Sequence, residues 1–306
     1  MDLSVVIVSY KGYTKLNRCL GSLASFKQDK FTMEVIIVNN NPGDELFKET
    51  EIKYTQFRFL HNRVNGGYSN GCNLGCAEAS GDYFLILNPD TLATEEAFFK
   101  LLEVARTNPL YHIISCRQIK ENGTESRAYG KFPWHVEASK IDNQNIVFPG
   151  WVSGSVMLMH RDIYKNLKGF DEDFWMYYED VDFCRRARNA GGEIAFYNEI
   201  TIVHDHGSSS RSDPGTAAMA KCEVQSSRHL YISKHEAGLQ RKVIQALIVT
   251  DNLITGIITG IAGLIFFFVP RLFVRFLFLL RLISYYSGAI ARSSWISTRS
   301  VNYIKK

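Results

Sequence analysis

The chain has 306 residues, of which 46% are hydrophobic, so it can bury a large core and is not a disordered chain. Its net charge of +4 is unevenly placed, because residues 271–306 contain seven basic side chains and no acidic one. The first 270 residues therefore carry slightly more acids than bases, which argues against a nucleic-acid partner. Six cysteines without a C-x-x-C pair indicate a reduced protein rather than a disulfide scaffold.

The first 115 residues alternate between short apolar runs and helical patterns. Strands are predicted at residues 3–8, 34–39, 57–61 and 83–88, and helices at residues 13–26, 70–79 and 95–106. Short apolar runs between helices are typical of a parallel sheet that is covered on both faces. The predicted fold class is therefore α/β, doubly wound, with ligands at the carboxyl ends of the strands.

A polar connection at residues 121–145 precedes a second block of predicted structure. This block contains a strand at 152–159, a helix that begins near 178 and a strand that ends at 204. A helix is then predicted from residue 216 to about 235, and an apolar C-terminal region follows it.

Polar side chains follow three of the predicted strands, namely Ser9 with Tyr10, Asn39 with Asn40, and Asn88 with Asp90. Side chains two apart on an extended chain point the same way, so Asn88 and Asp90 can converge on one ligand. Their oxygens suit Mg²⁺ or Mn²⁺ that also bridges substrate phosphates. The alternative is that Asp90 caps the next helix.

A glycine-rich turn, Asn65-Gly66-Gly67, precedes the helix predicted at residues 70–79. It matches neither a dinucleotide-binding fingerprint nor a P-loop. A glycine-rich turn before a helix N-terminus can still approach a diphosphate closely.

Two further groups of side chains could carry chemistry. Three carboxylates, those of Glu179, Asp180 and Asp182, begin one predicted helix and could supply a general base. The alternative is favourable interaction with the helix dipole together with an Asp182–Arg186 pair. A second group is His204 with His206, which share one strand face and could bind a metal or phosphate, although such a pair is often structural.

In this order, the motifs resemble family 2 glycosyltransferases with the GT-A fold, and among them bacterial rhamnosyltransferases that act on polyprenyl-diphosphate-linked sugars. The resemblance covers roughly residues 1–235. The matching segments are residues 5–10 (VVIVSY), 65–67 (NGG), 84–91 (FLILNPDT), 151–158 (WVSGSVML), 169–174 (GFDEDF), 178–185 (YEDVDFCR) and 204–209 (HDHGSS).

The resemblance implies a role for each candidate residue. Asp180 would be the general base, and Asp90 and His204 would hold Mg²⁺ or Mn²⁺. The residues implied to contact the nucleotide-sugar donor are Ser9, Tyr10, Asn39, Asn40, Asn65, Gly66, Gly67 and Asn88.

The function implied is inverting, metal-dependent transfer of a sugar to a polyprenyl-diphosphate-linked saccharide in bacterial surface polysaccharide synthesis. L-Rhamnose from dTDP-rhamnose is the expected donor, and a UDP-hexose or UDP-N-acetylhexosamine is the alternative. A third hypothesis, from another class, is a catalytically inactive membrane scaffold. The catalytic domain is expected to span residues 1–235, and membrane-associated helices with a basic tail are expected to span residues 236–306.

The C-terminal region predicts membrane association. Residues 253–269 carry no charge and would form a helix of about 26 Å, slightly short for a bilayer core of about 30 Å. Gly256 and Gly260 form a small-x-x-x-small pair, and Pro270 interrupts the pattern before a basic amphipathic stretch at residues 271–286. We expect a peripheral or monotopic protein that contacts anionic lipids on the cytoplasmic face of the bacterial inner membrane. The alternatives are a helix of the soluble core or a homo-oligomer interface.

Overall fold

The computed structural model describes residues 1–133, 140–142, 145–205 and 213–304. By their contacts, the described residues form two compact units. The first comprises Met1–Asp171 and Glu179–His206, and the second comprises Glu172–Tyr178 and Gly207–Lys306. The extent of the catalytic domain expected from the sequence, residues 1–235, stays a prediction.

Strands and helices alternate through the described part of the first unit. In chain order they are β1 (Leu3–Ser9), α1 (Tyr13–Ala24), β2 (Met33–Asn39), α2 (Glu45–Lys53), β3 (Arg58–His61), α3 (Gly67–Ala77), β4 (Tyr83–Leu87), β5 (Thr91–Leu92), α4 (Glu95–Thr107), β6 (Tyr111–Ile119), β7 (Tyr129–Gly130), β8 (Lys140–Asp142), β9 (Ile146–Phe148), β10 (Trp151–Val152), β11 (Val156–His160), α5 (Arg161–Asn166), α6 (Glu179–Asn189) and β12 (Glu193–His204). Ten of these strands form one sheet in the order β3-β2-β1-β4-β11-β6-β12-β9-β8, with β5 paired to β12.

The pairing of the strands confirms the predicted α/β class with a mostly parallel sheet. Strand β1 is parallel to β2 and β4, β2 is parallel to β3, and β6 is parallel to β12. Strand β11 lies antiparallel between β4 and β6. Ser9 of β1 is in register with Asn39 of β2, so the polar residues that follow these strands meet at one edge of the sheet.

Helix α3 packs closely against β1, and two glycines permit this approach. A Cβ atom on Gly71 would lie 2.6 Å from a methyl carbon of Val8, and one on Gly75 would lie 2.4 Å from a methyl carbon of Val6. Since β1 is buried along its whole length, neither valine has room to move away. This contact places the N-terminus of α3 near the carboxyl end of β1.

The structure differs from the sequence-based expectation in several places. The strand expected at 152–159 is two strands, β10 and β11, because the chain bends between them through Ser153, Gly154 and Ser155. The polar connection expected at 121–145 contains the short strands β7 and β8, of which β7 pairs with β10 and β8 pairs with the next strand, β9. Helix α2 and strand β6 were not expected, although α2 carries a clear cap, in which Asp44 accepts a hydrogen bond from Leu46 N.

The second unit is helical in its described part. Its helices are α7 (Pro214–His235), α8 (Gly238–Ile265), α9 (Pro270–Arg292) and α10 (Val301–Ile304). Both α8 and α9 are long and apolar enough to cross a membrane, which agrees with the predicted membrane-associating region. Pro270 lies at the start of α9 and separates the two helices, as the sequence predicts.

Helices α8 and α9 form an antiparallel hairpin. A Cβ atom on Gly263 would meet Leu272, one on Gly260 would meet Leu279, and Asn252 hydrogen-bonds Tyr286. Residues later in α9 thus contact residues earlier in α8, as expected for helices that run in opposite directions. The predicted small-residue pair Gly256 and Gly260 does lie at a helix–helix contact.

Candidate active site

Asparagine side chains and backbone groups join the loops that follow β1 and β2 to the start of α3. Asn40 N donates to Ser9 O at 2.8 Å, and Asn40 Nδ2 donates to Gly67 O at 2.7 Å. Gly67 N donates to Asn65 Oδ1 at 3.2 Å, and Asn39 is buried with its Oδ1 bonded to the backbone. Five of the residues expected to contact the donor therefore form one connected cluster at the predicted edge of the sheet.

Gly66 and Tyr10 complete this edge. Gly66 precedes the first turn of α3, and a Cβ atom there would lie 2.2 Å from Asn70 Oδ1. Asn62 Nδ2 bonds both Asn40 Oδ1 and Asn70 Oδ1, which holds the glycine-rich turn against the loop after β2. The Tyr10 side chain is exposed, so its ring is available to a ligand.

A second cluster lies where β4, β6 and β12 end. His204 Nδ1 is 2.7 Å from Gln118 Oε1, and His204 Nε2 is 3.2 Å from Asp90 Oδ1. Asn88 Nδ2 lies 3.4 Å from the same His204 Nε2. In the neutral tautomer that donates Nδ1–H to Gln118 Oε1, the lone pair of His204 Nε2 points to Asp90 and Asn88. The alternative that Asp90 caps the next helix is wrong, because Thr94 caps α4.

The Asp90–His204 pair fits a divalent cation. Two ligands at right angles, each about 2.1 Å from an ion, are about 3.0 Å apart, close to the observed 3.2 Å. A carboxylate oxygen and an imidazole nitrogen are suitable ligands for Mn²⁺ or Mg²⁺. The described residues contain no cluster of three or more His, Cys, Asp or Glu, so water and substrate oxygens would have to complete the coordination.

A chain of hydrogen bonds connects this pair to Asp180. Gly154 N donates to Asp180 Oδ2 at 3.1 Å. Tyr68 Oη lies 2.9 Å from both Gly154 O and Asn88 Oδ1, two acceptors that share its single proton. Asn88 contacts His204 through Nδ2 and Tyr68 through Oδ1. Its amide oxygen is therefore not turned toward the cation position. The base and metal residues implied by the family resemblance are therefore brought together by Gly154, Tyr68 and Asn88.

The three carboxylates at the start of α6 lie in three different environments. Burial raises the pKa of Glu179 well above its ordinary value, with a further increase from the charge of Asp180. Burial also raises the pKa of Asp180, against the effect of backbone N–H groups of Gly154 and Val181 that donate to it. Asp182 pairs with Arg186 Nε at 2.7 Å, as one sequence-based hypothesis expected.

Tyr68, Gly154 and Gln118 were not assigned roles from the sequence. Gly154 belongs to a segment that carries the family resemblance, and Tyr68 directly follows another, whereas Gln118 lies on the unexpected strand β6. Lys15 of α1 was also missed, and its Nζ lies 2.8 Å from Asp205 Oδ2 beside this cluster. His206 lies outside the described residues.

Comparison with known proteins decides the family. A model described as "Glycosyl transferase family 2" matches residues 4–168, more than half of the chain. The chain belongs to glycosyl transferase family 2. A second model, described as "N-terminal domain of galactosyltransferase", matches residues 138–206. This family 2 glycosyltransferase is therefore an enzyme of the class that the sequence predicts.

Its relatives include several named sugar transferases. The N-acetylglucosaminyl-diphospho-decaprenol L-rhamnosyltransferase of Mycobacterium tuberculosis is 26% identical, over 78% of this chain and 86% of its own. The low-salt glycan biosynthesis hexosyltransferase Agl10 of Haloferax volcanii is 25% identical, over 67% of each chain. Rhamnosyltransferase WbbL of Escherichia coli is 25% identical over 55% of this chain and 72% of its own. The predicted resemblance to rhamnosyltransferases is confirmed.

Solved structures show that this family 2 glycosyltransferase has the GT-A fold. GalNAc-T7 crystallised with UDP, GalNAc and Mn²⁺ superposes with a TM-score of 0.56 at 15% identity, covering 67% of this chain but only 44% of GalNAc-T7. S. aureus TarS 1–349 superposes with a TM-score of 0.55 at 14% identity, covering 94% of this chain and 92% of that one.

Proposed function

We propose that this enzyme is an inverting, metal-dependent glycosyltransferase that moves a sugar from a nucleotide sugar to a lipid-linked saccharide. The observation that carries the proposal is the chain of hydrogen bonds from Asp180 through Gly154, Tyr68 and Asn88 to the pair of Asp90 and His204. It connects a candidate proton acceptor to a candidate diphosphate site at the carboxyl edge of the sheet, where α/β folds bind their ligands.

In the proposed reaction, an acceptor hydroxyl attacks the anomeric carbon of the donor sugar. Asp180 accepts the hydroxyl proton, the new glycosidic C–O bond forms, and the bond from the anomeric carbon to the diphosphate oxygen breaks. The nucleoside diphosphate leaves from the opposite face, so the anomeric configuration inverts. The raised pKa of Asp180 makes its carboxylate a stronger base than an exposed aspartate.

Asp90 and His204 are the proposed metal ligands. When bound there, a divalent cation would neutralise the negative charge that develops on the departing diphosphate. Gln118 orients the His204 ring through Nδ1, a type of support that metal-ligating histidines usually have. Ser9, Tyr10, Asn39, Asn40 and the Asn65–Gly67 turn are the proposed nucleoside and diphosphate contacts.

L-Rhamnose from dTDP-rhamnose is the proposed donor, and a polyprenyl-diphosphate-linked saccharide is the proposed acceptor. The support is the set of relatives named as rhamnosyltransferases, one of which is named for a diphospho-decaprenol acceptor. A UDP-hexose is the second candidate donor, because another relative is named a hexosyltransferase. Incubation with radiolabelled dTDP-rhamnose or UDP-sugars and a lipid-linked acceptor distinguishes the two.

We further propose that the enzyme lies on the cytoplasmic face of the membrane, anchored by α8 and α9. Nucleotide sugars are cytosolic, and a lipid-linked acceptor is confined to the membrane. The two long apolar helices support attachment, and an antiparallel hairpin allows both of its ends to stay on one side.

Replacing Asp180 with asparagine tests the catalytic assignment. Asp180→Asn retains the shape of the side chain but cannot accept the proton, so we expect sugar transfer to fall by roughly a hundredfold or more. Donor binding, measured by titration calorimetry with Mn²⁺ present, should stay within about threefold, because the carboxylate does not contact the donor in the proposed mechanism.

Asp182→Asn is the matched control, since it removes a carboxylate two residues away that pairs with Arg186. We expect it to lower the melting temperature but to leave transfer by the folded enzyme close to that of the wild type. Unchanged turnover by Asp180→Asn would remove Asp180 as the base and with it the proposed mechanism.

A further inference from the structure

The second unit contains an open cavity that has no place in the mechanism above. Its volume is about 590 Å³, which lies in the usual range for small-ligand sites. The end of α7, the beginning of α8 and the segment after α9 line it, and all three belong to the same unit.

The cavity wall is positively charged. Lys234, Arg241 and Lys242 line it, together with one acid, Asp173. Both oxygens of Asp173 are engaged, with Lys234 Nζ at 2.6 Å and with Asn302 Nδ2 at 2.9 Å. Arg241 and Lys242 are exposed and form no ion pair with any residue of the described chain. Two positive charges are therefore left for a ligand.

Hydroxyl groups and a helix terminus add to this preference for an anion. Ser293 and Ser294 also line the cavity, and their hydroxyls can donate hydrogen bonds, whereas the Ser233 hydroxyl already donates to His229 O at 2.9 Å. Arg241 and Lys242 lie in the first turns of α8, whose N-terminus has no side-chain cap and carries a partial positive charge. An ammonium, a guanidinium and two hydroxyls together suit the oxygens of a phosphate group.

His229 contacts two of the residues that line the cavity. This buried side chain bonds Gln245 Oε1 through Nδ1 at 2.5 Å and Tyr286 Oη through Nε2 at 3.0 Å. Its ring stacks on Trp295 with centroids 4.3 Å apart and planes 12° apart. Since Gln245 and Trp295 both line the cavity, its shape is largely formed before any ligand binds.

The position of the cavity on the hairpin indicates which phosphate compound it meets. It lies at the end where α8 begins and α9 finishes, opposite the turn between the two helices. Exposed apolar side chains begin beside the cavity at Leu239 and Val243 and continue along α8 to Phe267 and Phe268 of that turn. Arg241 and Lys242 thus adjoin exposed apolar surface, a combination that suits the level of the headgroups when such a hairpin enters a bilayer.

We propose that this cavity binds the phosphate or diphosphate group of a membrane lipid. The lipid chains would run along the exposed apolar side chains of the hairpin, while Arg241 and Lys242 contact the phosphate oxygens. The proposal rests on the proposed function only in taking the hairpin to be membrane-bound, and it concerns binding rather than sugar transfer.

The test uses the full chain in detergent, with detergent-solubilised polyprenyl diphosphate and inorganic pyrophosphate as the two probes. We expect the lipid to bind more tightly than pyrophosphate, since only the lipid also contacts the apolar surface. Each charge removed, by Arg241→Gln and by Lys242→Gln, should weaken binding of both probes by roughly tenfold. Both side chains are exposed, so these variants should fold, which the melting temperature without ligand verifies.

Arg271→Gln is the matched control, because it removes an exposed charge from the opposite end of the same hairpin. We expect it to leave both affinities unchanged, and the exchange of Arg241 for lysine to retain most of the binding. The proposed site would be wrong if Arg271→Gln weakened binding of the probes as much as the cavity variants do. It would also be wrong if the double variant Arg241→Gln/Lys242→Gln bound the lipid as tightly as the wild type. Tighter binding of pyrophosphate than of the lipid would overturn the lipid as its ligand. These outcomes do not depend on transferase activity, so an Asp180→Asn result that refutes the mechanism would leave this proposal standing.

Discussion

At the scale of single residues, neighbouring carboxylates of α6 differ because of what surrounds them, not because of their type. Glu179 is buried, and its Oε2 has no hydrogen-bond partner in the described part of the chain. Asp180 accepts hydrogen bonds from two backbone N–H groups, and Asp182 pairs with Arg186. Only Asp180 thus combines a hydrogen-bonded position with a link to the proposed metal residues.

The burial of Glu179 predicts a dependence of stability on pH. Its pKa in the folded state is raised above the ordinary 4.5, so the folded protein holds a proton that the unfolded chain releases. The contribution of Glu179 to the free energy of unfolding should therefore be most favourable below pH 4.5. It should fall as the pH rises from 4.5 toward the folded-state pKa. The expected slope in that window is about 1.4 kcal/mol per pH unit.

Glu179→Gln should remove the contribution of Glu179 to the slope, because glutamine stays neutral at every pH, and should leave the contribution of Asp180, whose pKa is also raised. Urea unfolding at a series of pH values measures it, and the variant should exceed the wild type in stability most at alkaline pH. Glu45→Gln, which changes an exposed glutamate, serves as the control and should leave the slope as it is. An unchanged slope in Glu179→Gln would show that Glu179 ionises normally in the folded protein.

Tyr68 is predicted to be a positioning residue. Tyr68→Phe removes the hydroxyl that lies 2.9 Å from Asn88 Oδ1 and Gly154 O, so buried polar groups lose a partner at a cost of about 1–3 kcal/mol. We expect kcat to fall by roughly tenfold with little change in donor KM. Burial raises the pKa of Tyr68 well above 10, so the loss should be the same across the working pH range.

Tyr164→Phe is the control for this prediction. It also removes a buried hydroxyl, which bonds Asn73 Oδ1 at 2.5 Å away from the proposed catalytic residues. Both variants should lose stability, but only Tyr68→Phe should lose turnover. A Tyr68→Phe enzyme with the wild-type kcat would show that the Tyr68 hydroxyl is purely structural.

At the scale of elements, glycines determine how closely helices approach their neighbours. In the α8–α9 hairpin, a Cβ atom would lie 3.2 Å from Leu279 at Gly256, 2.6 Å from Leu279 at Gly260 and 2.1 Å from the carbonyl oxygen of Leu272 at Gly263. The first two contacts are with a side chain that can rotate. The third is with backbone, which can yield only if the two helices separate.

Alanine substitutions at these three glycines should therefore form a graded series. We expect Gly256→Ala to be nearly neutral, Gly260→Ala to cost about 1 kcal/mol, and Gly263→Ala to cost about 3 kcal/mol through overpacking. Melting temperatures of the purified chain in detergent measure the order. Equal effects at all three positions would contradict the close contact of Gly263 with α9.

At the scale of the whole molecule, charge and apolar surface are divided along the chain. The first 270 residues carry a slight excess of acids, and residues 271–306 are basic. The hairpin exposes large apolar side chains that water would not favour, including Phe267 and Phe268 at 65% and 70% exposure. This distribution agrees with a protein that is attached to a membrane through its C-terminal region.

Replacing the exposed phenylalanines should weaken that attachment. Each phenylalanine moved from water into an apolar phase contributes about 1.5–3 kcal/mol, so Phe267→Ser/Phe268→Ser should shift the protein from the membrane to the soluble fraction after an alkaline carbonate wash. Leu46→Ser/Ile52→Ser, which replaces exposed apolar residues of α2, is the control and should remain with the membrane. Equal release of the wild type and both double variants would argue against insertion of the hairpin.

Much of the fold and of the candidate site follows from the sequence, because the signals are local. Apolar runs mark β1, β2 and β4, and polar residues follow each of them, so chain order and strand direction are enough to bring Ser9, Asn39 and Asp90 to one edge. The break at Pro270 and the glycine pair of α8 are equally local. The family motifs, each short but in a fixed order, identified a glycosyltransferase.

The tertiary structure decided what local patterns do not encode. The insertion of β11 antiparallel between β4 and β6, the meeting of Tyr68 with Asn88 and Gly154, and the support of His204 by Gln118 all join residues far apart in the chain. The cavity beside His229 likewise exists only because α7, α8 and the segment after α9 pack together. Such contacts depend on which surfaces fit, and that is determined by packing of the whole core rather than by the periodicity of any one segment.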